Sequence, residues 1–384
     1  MLKYYFYLLI IVIVFQQLPV VYESYYFYIR IMLYFIILIG IMIGLINNGK
    51  KLMENIFFRY TFLLFIYSLL LLAFLPFQQE KDYLVLEISI PLGIMITSSS
   101  YILNTKEKQK FLNFYVLIVT ILSLSVVFYY NGGFSISQLY TVPSKNQIGP
   151  LIGGAFVIGY ISFLERKTNN HFYRIINLIL LIILGSTLIA IRNRTGILGI
   201  ILFICIKTLK KFKINNYSLR KVLVFFSILF FILTSGYFLW GKFIIEYINT
   251  SLFTNYDLSD LNSLSAGRIS GYTNALNFIR ENFLFGNINA MHTYNLSIKP
   301  HNFILYKLVQ LGAIFAMPFI FYYCFLIRKI FIKKSSNEFS SWLLLFSIFV
   351  SLFEYAYPFG PGVSQFMLWF LIAQESISNT DIKL

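Results

Sequence analysis

Along this chain apolar residues do not alternate with polar ones. They come in runs near twenty residues long, such as "IRIMLYFIILIGIMIGLI" over Ile29–Ile46. A helix needs about 20 such residues to cross a bilayer core, and a helix satisfies its own backbone groups where no water can. The pattern predicts an all-α polytopic membrane protein, one integral membrane domain over residues 1–384. Twelve spans are predicted: Tyr4–Val21, Ile29–Ile46, Ile56–Phe77, Tyr83–Leu103, Phe111–Tyr130, Ile148–Leu164, Ile175–Ile191, Thr195–Leu209, Val222–Trp240, Phe303–Ile327, Trp342–Tyr355 and Val363–Ile377. Thr195–Leu209 and the last two are short for a full crossing. The first run follows Lys3 as in a signal peptide. The stretch after it, "FQQLPVVYESYY", offers no small-residue cleavage site, so it reads as a retained first span. The connections are mostly short, apart from Gly241–Pro300. A connection that long usually carries function or is disordered.

Composition agrees with this pattern. Hydrophobic residues make up 58% and charged ones 12%, against about 25% charged in soluble domains. The net charge of +16 could suggest nucleic acid, but the cations lie in short clusters between apolar runs, not along a stripe. They report topology instead. One set of alternate connections holds Lys3, Lys50, Lys51, Arg59, Lys106, Lys108, Lys110, Arg166, Lys167 and Arg174. It continues with Lys207, Lys210, Lys211, Lys213, Arg220, Lys221, Arg328, Lys329, Lys333, Lys334 and Lys383, 21 in all. The other set holds Arg30, Lys81, Lys145, Arg192, Arg194, Lys242, Arg268, Arg280 and Lys299. The richer set is expected in the cytoplasm, with both termini. Gly241–Pro300 and the second set are then external. Cys205 and Cys324 sit within apolar runs and give no disulfide or metal framework.

Cations on the poorer face need a reason. "IAIRNRTGI" places Arg192 and Arg194 between two spans. As plain anchors they would snorkel to headgroups, yet arginines at membrane depth are costly and mark function. Guanidinium groups bind phosphate bidentately, and Thr195 and Gly196 open a helix whose N-terminus favours anions. In the long connection, "SAGRISGYTNALNFIRENFLFG" repeats Ile269, Tyr272, Leu276, Ile279 and Phe283 at helical spacing. It predicts an amphipathic helix on or near the membrane surface, opened by Arg268; a lone loop arginine is more often a solvated cation. "KPHNFILYKLVQLG" puts His301 at the external mouth of a span. Alone it would read as an interfacial histidine, but an imidazole there can serve as general base. "TVPSKNQIGPLIGG" adds Lys145, a rim lysine or a further phosphate contact. His171 and His292 lie elsewhere, so the three histidines have no metal-ligand spacing.

Together these stretches carry a resemblance. Lys-Asn-x-x-Gly at a span start ("SKNQIG"), Arg-Thr-Gly at another ("RNRTG"), an arginine opening an amphipathic helix, then His-Asn before a span resemble the O-antigen polymerase and O-antigen ligase superfamily. The likeness covers residues 144–319. "GAIF" keeps Gly312 but puts Phe315 where the family often has a second glycine. The resemblance implies transfer of a glycan from undecaprenyl diphosphate to an acceptor hydroxyl at the outer face of the cytoplasmic membrane. It implies no metal and no cofactor. It places the family's catalytic arginines on Arg194 and Arg268 and its histidine on His301. Arg192 is a close alternative to Arg194, and Arg192, Arg194, Arg268 and Lys145 would hold the diphosphate. A flippase and a chain-length regulator are the partners it implies. A polymerase is favoured, for O-antigen, capsule or exopolysaccharide; a ligase acting on lipid A–core shares the same parts.

Two other classes compete. Twelve spans with both ends inside also suit a transporter, and Glu87, Lys307 and Glu354 lie in or near spans. The two halves show no repeat, however, and the three ionisable residues can pair with one another or snorkel. A metal-dependent glycosyltransferase would need acidic motifs. Asp257 and Asp260 in "YDLSD" read as loop solubilisers, and the first external connection holds only Glu23.

Overall fold

The structure, a computed structural model, describes residues 2–74, 81–130, 145–165, 171–211, 260, 262, 267–287, 300–332, 339–360 and 362–380. The predicted span Val222–Trp240 and most of Gly241–Pro300, with Asp257 and His292, lie outside the described residues. Among the described residues 87% are helical and none is in a strand. The helices are α1 (Leu2–Phe15), α2 (Pro19–Ser24), α3 (Tyr26–Glu54), α4 (Ile56–Phe74), α5 (Lys81–Ser98), α6 (Thr105–Tyr129) and α7 (Lys145–Glu165). They continue as α8 (His171–Ala190), α9 (Arg194–Lys211), α10 (Arg268–Glu281), α11 (Phe303–Ile332), α12 (Phe339–Ser351) and, after a 3-10 turn, α13 (Phe366–Thr380).

Among the described residues six helices are long and apolar enough to cross a membrane: α3, α4, α6, α7, α8 and α11. The chain thus has the make-up of a multi-pass membrane protein, and the described residues do not confirm the count of twelve spans. Phe74, Ile46 and Phe128 are more than 70% exposed on these helices, as lipid-facing side chains are.

Four predicted spans depart from single long helices, in three ways. The first breaks at Gln17–Leu18, and Pro19 opens the separate short α2, since proline fits a helix's first position and not its middle. The last two form a short hairpin. α12 has 13 residues and α13 has 15, about 20 Å each at 1.5 Å per residue. Between them the chain leaves helical form over 352–360 and at 362. The indole N–H of Trp369 donates to the Pro358 carbonyl at 2.9 Å, and the Gly360 N–H to the Ala356 carbonyl at 2.8 Å, pinning this segment.

The third difference matters most. The predicted span Phe303–Ile327 is folded at Gly312, where φ is 65° and ψ 178°. The rings of Phe303 and Tyr323 stack at 5.2 Å, and the Lys307 ammonium lies 4.8 Å from the Phe319 ring. In a straight helix residues 303 and 323 would be about 30 Å apart. α11 is therefore two antiparallel arms, a short one (303–311) and a long one (313–332), with the vertex at Gly312. The break frees backbone groups, and residues 283–287 satisfy them. Ala313 N–H donates to Phe283 C=O at 2.7 Å, Ile314 N–H to Leu284 C=O at 3.2 Å, and Asn287 N–H to Val309 C=O at 2.9 Å.

One end of the bundle gathers the cations of the richer set. Lys3 pairs with Glu107 at 3.9 Å and Lys108 with Glu375 at 3.3 Å. Ser340 also binds Glu375, and Lys329 lies 5.9 Å from the Phe57 ring. Thr195, His301 and Glu354 lie away from this end, at the start of α9, just before α11 and just after α12.

Candidate functional site

The turn between α8 and α9 is built around Asn193. Its side-chain oxygen accepts the Gly196 N–H at 2.6 Å, an N-cap that closes the first turn of α9. A Cβ on Gly149 would meet the Asn193 carboxamide at 2.1 Å. The glycine of "KNQIG" and the asparagine of "RNRTG" are thus one packing unit, and it brings the start of α7 onto the arginine turn. Lys145 begins α7; its side chain lies outside the described residues. Arg192 sits at φ 53°, a left-handed conformation that costs a non-glycine residue about 1–3 kcal/mol and clusters at functional sites.

α10 arrives beside this turn. Gly267, at φ 76°, lets the chain turn into the helix, whose first residue is Arg268. The Arg268 guanidinium donates to the Thr195 hydroxyl at 3.4 Å and to a Glu354 carboxylate oxygen at 3.0 Å. It also lies 5.8 Å from the Phe353 ring. It is not a solvated loop cation; only 22% of its side chain is exposed.

The other Glu354 oxygen lies 3.3 Å from His301 Nδ1. His301 precedes the short arm of α11, and Asn302 caps that arm by accepting the Leu305 N–H at 3.1 Å. This explains the His-Asn pair: asparagine closes the helix and holds histidine just outside it. The Tyr272 hydroxyl reaches the His301 carbonyl at 3.1 Å and the Leu352 carbonyl at 2.9 Å. It ties α10 to both segments that carry the dyad. Burial raises the Tyr272 pKa, so the phenol stays a neutral donor.

The structure therefore brings together Arg268 and His301, and Arg268 also reaches Thr195, the residue that follows Arg194. It corrects their setting. His301 is not at the mouth of a crossing helix. Its arm folds back, so His301 lies beside the middle of the long arm, about 16 Å along the helix from the vertex. The stripe predicted for α10 is also corrected. The buried side is Gly271, Ala275, Phe278 and Ile279, packed on Tyr306 and Val309. Ile269, Leu276 and Phe283 are 44–55% exposed. The apolar arc is wide enough that half of it packs on α11 and half remains free. Because residues 283–287 reach the Gly312 vertex, α10 runs alongside the short arm.

Of the three ionisable residues near spans, two pair with each other. The Lys307 ammonium donates to Glu87, and both side chains are buried. Glu354 does something else: it is the hub between Arg268 and His301. Sequence reasoning did not place it in the site. The signal was an isolated carboxylate in an apolar stretch, which marks function by default.

Chemically, the site can do three things. It holds the Arg268 guanidinium next to the arginine turn, where an anion can be bound. It holds an imidazole against a carboxylate, which fixes the ring and leaves Nε2 for a substrate. It is partly shielded, which strengthens charge interactions. Among the described residues no group of three or more His, Cys, Asp or Glu side chains could hold a metal ion. Compared with known proteins, the chain matches no family model, and no curated protein matches it. What fold and site define is a class: an all-helical, multi-pass membrane protein with a recessed arginine–glutamate–histidine cluster.

Proposed function

We propose that the chain polymerises lipid-diphosphate-linked oligosaccharide units by glycan transfer to an acceptor hydroxyl, at the outer face of the cytoplasmic membrane. The observation that carries this reading is the convergence of Arg268 and His301 on Glu354, beside the Arg192–Arg194 turn. The Arg268 guanidinium meets Glu354 at 3.0 Å, and Arg192 and Arg194 lie in the adjoining turn; three arginines to one carboxylate is an excess of cations suited to a diphosphate. The acceptor hydroxyl attacks the anomeric carbon as the bond to the diphosphate oxygen breaks. His301 Nε2 takes the hydroxyl proton, and Glu354 steadies the imidazolium that forms, as carboxylates do in nucleophile–base–acid triads. Arg268, Arg194 and Arg192 receive the charge that develops on the departing lipid diphosphate. The resemblance to the O-antigen polymerase and ligase superfamily supports the same assignment. A ligase would differ only in its acceptor.

A second reading is transport. The buried Lys307–Glu87 pair and the broken α11 are features that transporters place on substrate routes. Both readings are tested by purified protein in nanodiscs supplied with lipid-linked repeat units and EDTA. The polymerase reading expects a ladder of longer glycans on lipid. Movement of intact units across liposomes without a ladder would replace it with transport.

A further inference from the structure

Between α4 and the long arm of α11 the helices part and leave an open groove of about 390 Å³. Its walls are Tyr60, Leu63 and Tyr67 from α4, and Pro318, Phe321 and Phe325 from α11. The volume lies in the range of small-ligand sites, ~300–1,000 Å³. The walls offer little to a polar guest. The Tyr67 hydroxyl is spent on the Phe315 carbonyl at 3.0 Å; Tyr60 adds one phenol, and Leu63, Pro318, Phe321 and Phe325 are wholly apolar. Leu63 and Phe321 are 61% and 64% exposed, so the groove opens to the outside of the bundle. Both helices are long and apolar enough to lie in a membrane, where the surroundings are hydrocarbon.

The two ends of the groove differ. At one end the Lys329 ammonium lies 5.5 Å from the Phe325 ring. There Arg59 directly precedes Tyr60 and is exposed, as is Arg328. The carboxylates nearby are largely engaged: Glu375 with Lys108 and Ser340, Glu107 with Lys3 and Tyr101. Glu54, at the end of α3, is exposed and stands against three cations. An apolar slot of chain-like chemistry thus ends at a basic rim.

We infer that this groove is a binding site for an anionic phospholipid. One acyl chain fills the slot, and the phosphate lies against Lys329 and Arg59. Charge complementarity selects the occupant. A zwitterionic lipid would bring its own cation to a rim that already has three, whereas basic pockets between spans suit anionic headgroups. The site is separate from the Arg268–Glu354–His301 cluster and does not rest on the proposed reaction.

The test is native mass spectrometry of the full chain, delipidated in detergent and titrated with phosphatidylglycerol or phosphatidylcholine of equal chain length. Phosphatidylglycerol should bind more tightly. Lys329→Ala and Arg59→Ala should each weaken it about fivefold, and together roughly 25-fold, from ~1 kcal/mol per surface cation. Leu63→Trp should fill the slot and lose both lipids. Leu63 already faces outward, so that change leaves the packing intact, and Leu38→Trp on another exposed face serves as control. Equal binding of the two lipids would overturn the headgroup assignment. A phosphatidylglycerol preference that survives the double substitution would overturn it as well. Leu63→Trp binding lipid as well as Leu38→Trp would remove the groove from the account.

Discussion

Replacing Gly312 by alanine should destabilise the chain strongly. At φ 65° and ψ 178° the residue occupies a region that only glycine uses freely, and strain there costs about 1–3 kcal/mol. The new Cβ would also meet the Gly286 nitrogen and the Leu284 carbonyl carbon and oxygen, each at 2.5 Å. These are backbone atoms that cannot rotate aside. Relief requires residues 283–287 to withdraw, which puts the hydrogen bonds of Ala313, Ile314 and Asn287 at risk, each worth ~0.5–1.5 kcal/mol. The sum is at least about 2.5 kcal/mol. At ~2.1 cal/mol/K per residue, a chain of this length unfolds with an entropy of ~0.8 kcal/mol/K, so Tm should fall by about 3 °C or more. Gly49→Ala is the control, because a Cβ there meets nothing within 4 Å. The assay is thermal unfolding of both variants in one detergent, followed by tryptophan fluorescence. Since the short arm of α11 carries His301, turnover of Gly312→Ala should drop as well. A Tm for Gly312→Ala within a degree of Gly49→Ala would refute the vertex and the strap across it.

Three further outcomes follow from the same geometry. Arg268→Ala and Glu354→Gln should each abolish product while the protein still accumulates in the membrane, and Arg268→Lys should rescue poorly because it lacks the guanidinium fork; normal ladders from Glu354→Gln would reduce the hub to a packing contact. Glu87→Gln or Lys307→Met alone should destabilise by about 3–5 kcal/mol, since each leaves a buried charge without its partner, whereas the double variant should recover much of that loss; equal Tm values for all three would show that the pair contributes nothing. With Cys205 and Cys324 replaced by serine, a membrane-impermeant thiol reagent on spheroplasts should modify Glu281→Cys but not Lys106→Cys; the reverse pattern would put the site in the cytoplasm.

Much of the fold was legible because hydropathy reports whether a segment can sit in a membrane. It does not report whether the segment crosses. The short arm of α11 and the short helices α12 and α13 are apolar, so each reads as part of a span. The fold at Gly312 depends on one residue's φ and on an outside strap of backbone hydrogen bonds. Neither leaves a trace in an apolar run. Arg268 and His301 were legible because a cation and an imidazole on the face poor in charge need a reason. Glu354 was visible only as a stray acid, since nothing in the local sequence says which of several distant cations it will meet. In α10 the period was legible and the direction was not. An apolar arc this broad fits either a protein neighbour or a lipid surface, and here it divides between α11 and the exterior.

The measurement that bears most directly on the account separates binding from turnover in His301→Ala. The purified variant in nanodiscs receives lipid-diphosphate-linked repeat units with EDTA present, and donor binding and glycan ladder are read on the same sample. If His301 takes the acceptor proton while the arginines hold the diphosphate, donor affinity should stay near that of the unmodified protein. Turnover should fall by about 10²–10⁴-fold, the usual contribution of a general base, and His171→Ala should behave as the unmodified protein does. A near-normal ladder from His301→Ala would contradict the central claim.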